Sequence, residues 1–206
     1  MRNNSRILDG TAVWLVIACL VVMPACTKKT AKSAGKGAVI GGVVGAVGGL
    51  VTGLVFGGNP AESAARGAVY GASTGATAAA ISSAMEDSAG KEQQDAEMAK
   101  LKERIGEDAF SGLKALAECK HEVALAFART AAQRKEENYA LAGLWLEVLT
   151  YADSRQESKA RELFPAIVGK DPKIDSEAQA EETMRKASQK LMDIRESYSL
   201  PRICGS

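Results

Sequence analysis

The sequence predicts an all-α protein, a glycine-striped helical hairpin followed by a small amphipathic helical bundle. Three observations lead there. Gly37 to Gly57 (GAVIGGVVGAVGGLVTGLVFG) places glycine at 37, 41, 45, 49, 53 and 57, an interval of four in an otherwise apolar run. From Glu86 onward, apolar residues recur at threes and fours, the period of a helix with one buried face. Alternation of the kind a strand needs never lasts beyond a few residues. These features divide the chain into 1–25, 26–36, 37–84 and 85–206.

The first segment has a short basic start (Met1, Arg2, Arg6), an almost wholly apolar run from Thr11 to Met23, and then Pro24, Ala25 and Cys26. The thirteen apolar residues are fewer than the ~20 that cross a bilayer but suit the hydrophobic region of a signal peptide. The MPAC tetrapeptide resembles the lipobox of bacterial lipoproteins, although Met23 stands where Leu is commonest and Pro24 is also a departure. The resemblance implies cleavage before Cys26 and a diacylglycerol thioether on that cysteine, with 26–36 as a lipidated basic linker. Thr27, rather than Asp, after the cysteine implies the outer membrane as destination.

Loss of 1–25 removes Arg2, Arg6 and Asp9 from the chain's 26 basic and 25 acidic residues, so the mature chain carries 24 of each. Within it, Lys28, Lys29, Lys32, Lys36 and Arg66 face only Glu62 over residues 27–66. That local basic excess lies beside the apolar repeat, where it meets anionic lipid head groups. No basic stripe falls on the later helices, which argues against a nucleic-acid partner. Cys19 leaves with the signal and lipid takes Cys26, so Cys119 and Cys204 remain, able to pair in an oxidising compartment or to stay free.

On a helix, residues four apart stand one above another, so Gly37, Gly41, Gly45, Gly49, Gly53 and Gly57 form a groove that a second helix can approach closely. Ala38 to Gly58 is 21 residues, about 31 Å as a helix and thus about the thickness of a hydrocarbon core. Asn59-Pro60 breaks the run, and Gly67, Gly71 and Gly75 continue the stripe in a second, less apolar segment. On this reading, Leu at Gly45 and Gly49 parts the helices, while Leu at Val44 and Val51, off the groove, matters less. GKGAVIGG lacks the order of a phosphate-binding loop.

Cys26 with the two glycine series resembles the glycine-zipper family of bacterial outer-membrane lipoproteins, over residues 26–84 only. The resemblance implies a two-helix membrane-associated hairpin and little chemistry, since members are mostly assigned to envelope integrity or surface antigens.

In the last segment, Met98, Leu101, Ile105, Ala109, Leu113, Leu116, Ala124, Phe127 and Ala131 predict one long helix over 91–134, with Lys120 interrupting its face and Gly106 and Gly112 as kink or close-packing points. Leu141, Leu144, Trp145, Val148 and Leu149 predict a helix over 136–152. Asp153 with Gln156 reads as a capping box for a third helix, which Pro165 kinks. After the turn at 169–175, Ser176 and Gln179 cap a last helix with an inner face of Ala180, Met184, Ala187, Leu191 and Ile194, ending before Pro201. Four such helices suggest an antiparallel bundle or stacked pairs; no 34-residue period supports a tetratricopeptide array.

Catalytic chemistry finds little material. The single histidine, His121, reads as a solvent-facing residue of a charged helix. Continuous helix would set Cys119 and His121 about 200° apart around its axis, which rules out a nucleophile and base. Trp145 and Tyr139 suit core packing. No enzyme class, metal, cofactor or small-molecule substrate is indicated. The favoured reading is an envelope lipoprotein with a structural or assembly role, which oligomerises through the hairpin or engages an envelope partner through a periplasmic helical domain. The alternatives are a membrane-active or pore-forming oligomer, with Ser73, Thr74, Thr77, Ser82 and Ser83 as a weak polar lining, and a periplasmic enzyme.

Overall fold

A computed structural model describes residues 31–57, 63–64 and 88–204. Chain contacts separate Met1–Ser33 from Ala34–Ser206, and apart from the start of the first helix every described element belongs to the second unit. Among the described residues there are eight helices and no strand. They are α1 (Ala31–Phe56), α2 (Ser88–Ile105), α3 (Glu107–Ala117), α4 (His121–Ala132), α5 (Glu137–Asp153), α6 (Glu157–Arg161), α7 (Phe164–Lys170) and α8 (Glu177–Ser197).

The helix expected over 91–134 is thus three helices. Gly106 ends α2 at φ 85°, a left-handed conformation that glycine alone adopts without strain. An added Cβ there would also press on the Tyr139 ring at 3.0 Å, and Tyr139 Oη donates to Glu103 O at 2.8 Å to close the elbow. The second break lies at Cys119, φ 59°, where Cys119 N donates to Leu116 O and Lys120 N to Ala115 O. That pattern terminates a helix and redirects the chain. The polar Lys120 therefore marks the end of one apolar face and the start of another.

α5 is the hub. Every residue from Ala140 to Tyr151 is buried, and Trp145, Leu146, Val148 and Leu149 have no exposure. A helix apolar on all sides belongs inside a core, and α2, α3, α4, α6, α7 and α8 all pack on it. α4 crosses it most closely at Gly143, where the Cβ of any other residue would stand 2.6 Å from Ala128 O. The third helix of the sequence reading also divides, since α6 is followed by α7 with Pro165 in its first turn. Asp153 does not cap it; this residue closes α5 instead. The cap at Ser176 is present, with its Oγ accepting from Gln179 N at 3.3 Å, while Gln179 Oε1 accepts from Asp175 N at 2.8 Å.

Among the described residues, three helices end on a left-handed residue other than glycine, namely Cys119, Arg155 (φ 60°) and Ser199 (φ 57°). Arg155 is exposed. Arg155→Gly should therefore raise stability by about 0.5–1 kcal/mol, the relieved strain less the entropy gained by the unfolded chain. A thermal midpoint unchanged or lowered in calorimetry would contradict this.

α1 joins the same hydrophobic cluster as the later helices, with Val43, Val47, Leu50 and Val51 wholly buried. Val44 and Val51, expected off the groove, are buried too, at 3% and 0% exposure, so enlarging them overpacks a core rather than altering a free face. Among the described residues no helix is long and apolar enough to cross a membrane, which corrects the transmembrane expectation for that part of the chain.

Candidate functional site: the glycine helix and the cysteine cluster

Close approach to α1 occurs on more than one side. At Gly49, a side chain would collide with Ser63 O and lie 2.9 Å from Ser63 C and 3.1 Å from Ala64 Cα, so the start of the second segment lies directly against the predicted stripe. Gly42 takes the Tyr198 ring, whose Cζ would be 2.8 Å from an added Cβ, and Gly48 takes Leu101. Thr52, the only polar residue of the repeat, bonds its hydroxyl to Gly48 O at 2.7 Å. At the helix end Gly57 has φ 80°, and Lys173 Nζ donates to Val55 O at 2.9 Å while pairing with Asp171 at 2.6 Å. Cationic charge at a helix C-terminus meets the negative end of its dipole. Asp171 also accepts from Trp145 Nε1 at 3.0 Å, which connects the end of α1 to the hub helix.

The second feature is a polar cluster where α3, α4, α5, α8 and the C-terminal tail meet. Arg195 of α8 is fully buried. Its Nη1 pairs with Asp153 Oδ1, and its Nη2 donates to Asp153 Oδ2 at 2.8 Å and to Leu116 O at 3.0 Å, leaving buried Nε without a partner. His121, the first residue of α4, places Nε2 2.6 Å from Asp153 Oδ2. The Cys119–Cys204 disulfide, with alpha carbons 5.5 Å apart, closes the cluster, and Cys204 Sγ lies 3.5 Å from the same carboxylate oxygen. A bidentate guanidinium–carboxylate pair fixes orientation as well as charge. The bond spans 85 residues, a loop whose closure is worth about 4–5 kcal/mol on the chain-entropy account.

Among the described residues, further charged groups pair between helices. Arg129 bonds Glu147 at 2.9 Å and also Tyr151, and these two bonds, in that order, hold its pKa above the ordinary arginine value. Glu181 is held below the usual carboxylate range by hydrogen bonds from Arg185 and then Arg161. Burial raises the Tyr198 phenol. A shallow cleft at the α2–α3 elbow is bordered by Lys102, Asp108, Arg134 and Tyr139, but Lys102 pairs with Glu107 at 2.7 Å and Arg134 with Asp108.

Residues 6–85 match the family model of the YMGG-like Gly-zipper. No curated protein and no solved structure matches the chain. The glycine zipper points to a membrane-associated protein, and its match extends through the two glycine series and the segment before Cys26.

Of the glycines in the zipper, Gly37 and Gly41 lie in α1, Gly45 and Gly53 are buried, Gly49 is half-buried, and Gly57 ends the helix. Cys26, Gly67, Gly71 and Gly75 lie outside the described residues, as do the serines and threonines considered as a polar lining. Sequence reasoning missed Gly42 and Gly48, which stand off the interval of four yet receive side chains from later helices. It also misplaced His121, whose side chain is only 20% exposed and paired with Asp153. His121 and Cys119 would face apart only on one continuous helix, and the chain turns between them. A signal for the cluster was present: Arg195 stands four residues after Leu191, in register with the apolar face of α8. A cation in such a register needs a buried partner.

Proposed function

We propose that this chain is an envelope lipoprotein with a structural or assembly role, held to the outer membrane through Cys26, with its helical domain in the periplasm. The observation that carries the reading is the pairing of Cys119 with Cys204 in a chain that begins with a signal-type segment ending in MPAC. Disulfides persist in oxidising compartments, and export supplies one. The glycine zipper supports the membrane side of this reading. Its packing on Ser63–Ala64, Leu101 and Tyr198 supports a role in helix association, within the chain and toward an envelope partner or a second copy.

The test is the mature N-terminus. Intact mass should show a chain beginning at Cys26 with added acyl mass, and Cys26→Ser should abolish that mass and leave the signal segment attached. A lipid-free N-terminus at any other residue would refute the lipoprotein reading.

A further inference from the structure

We propose that reduction of the Cys119–Cys204 bond converts the cluster into a site for one zinc-class divalent cation, with the two thiolates, His121 Nε2 and Asp153 Oδ2 as its four ligands. Three of the donors are already together: His121, Asp153 and Cys204 each place a ligand atom within 4.8 Å of the others, with His121 Nε2 2.6 Å and Cys204 Sγ 3.5 Å from Asp153 Oδ2, and Cys119, outside that group, is joined to it through its bond to Cys204 Sγ. Ligand lengths of about 2.0 Å for nitrogen and oxygen and about 2.3 Å for sulfur make tetrahedral edges of roughly 3.3–3.8 Å. The histidine and carboxylate, 2.6 Å apart, open by less than about 1.5 Å to reach such an edge. The sulfurs separate once their bond is gone. Cys204 can supply that movement, being half-buried in a short segment after Pro201.

The surrounding charge suits the ion. Two thiolates and a carboxylate give three negative charges, and a divalent cation with Arg195 gives three positive ones. Asp153 Oδ1 remains with Arg195 Nη1, while Oδ2, which also accepts from Arg195 Nη2 at 2.8 Å, turns to the metal. A ligating carboxylate anchored in this way by an outer partner is the usual arrangement at protein metal sites.

An external phosphine or dithiol delivers two electrons and the solvent two protons, giving two thiols. Cation binding then releases both thiol protons to solvent, and the Nε2 proton that His121 shares with Asp153 Oδ2 is given up to solvent while Nδ1 keeps or takes up one, so that Nε2 offers its lone pair to the metal. Disulfide and metal site use the same sulfurs and exclude each other, so the redox state of the compartment selects between a covalent closure and a metal-held one.

The test uses the full chain in detergent with Cys19→Ser and Cys26→Ser, so that Cys119 and Cys204 are its only cysteines. Cobalt(II), a spectroscopic stand-in for zinc, is titrated into phosphine-reduced and oxidised protein. The reduced chain should take one cobalt with a thiolate-to-metal charge-transfer band and tetrahedral visible bands, which zinc then displaces; the oxidised chain should show neither. Adding Cys204→Ser should abolish the band. His121→Gln, checked for retained helicity by circular dichroism, should weaken binding at least about tenfold. A reduced chain that takes no cobalt, whether folded or not, overturns the proposal, as does undiminished binding in the oxidised chain or in a folded His121→Gln variant.

Discussion

Asp153→Ala is expected to lower the unfolding free energy by about 3–5 kcal/mol, the cost of leaving a buried charge without its partner. Arg195 has no access to water, its Nε already lacks an acceptor, and its one remaining bond would be to Leu116 O. Such a loss is a large part of the ~5–15 kcal/mol that holds a typical domain together. The double replacement Asp153→Leu with Arg195→Met should recover most of it, because removing both charges also removes their desolvation cost. Urea unfolding followed by circular dichroism measures both variants. A loss below about 1 kcal/mol for the single change would show that water or another group reaches Arg195 readily.

Gly143→Ala is the second large effect, at about 2–3 kcal/mol of destabilisation, despite the ~1 kcal/mol by which alanine favours a helix over glycine. The methyl group would collide with Ala132 N and lie 2.6 Å from Ala128 O and 2.7 Å from Ala131 C. These are backbone atoms, which no rotamer change moves aside, so α4 and α5 must part along their length. Gly169 is the control: an added Cβ there meets nothing within 4 Å, and alanine should be neutral or stabilising by up to about 1 kcal/mol. If the two alanine variants unfold at the same temperature, the close crossing at Gly143 is not rigid.

The helical class was legible because the period of apolar residues survives in α3, α4 and α8, and Ser176 announced the start of α8 in its own side chain. The extent of α5 was legible as well, to within a residue at each end. What the sequence concealed were events decided by distant partners. The elbow at Gly106 depends on Tyr139, and the turn at Cys119 precedes a histidine whose partner lies 32 residues away. The zipper shows the same limit. An interval of four identifies one smooth face, but a helix surrounded by its own chain uses glycines wherever a neighbour arrives, and Gly42 and Gly48 answer to Tyr198 and Leu101. The near neighbours of Asp153 suggest a cap, whereas its partner stands 42 residues further along.

The bond from Lys173 to Val55 O joins residues 118 positions apart, and this fixes an order of events during synthesis. A ribosome adding ~5–20 residues per second leaves the valine-rich helix waiting roughly 6–24 s before Lys173 emerges. Tyr198, which covers Gly42, emerges later still. During that interval the helix can meet Ser63–Ala64 and Leu101, which are made earlier, but not the residues that close its end and cover Gly42. Whatever receives the nascent chain therefore meets a helix whose last two contacts, at Val55 and Gly42, have not yet been made.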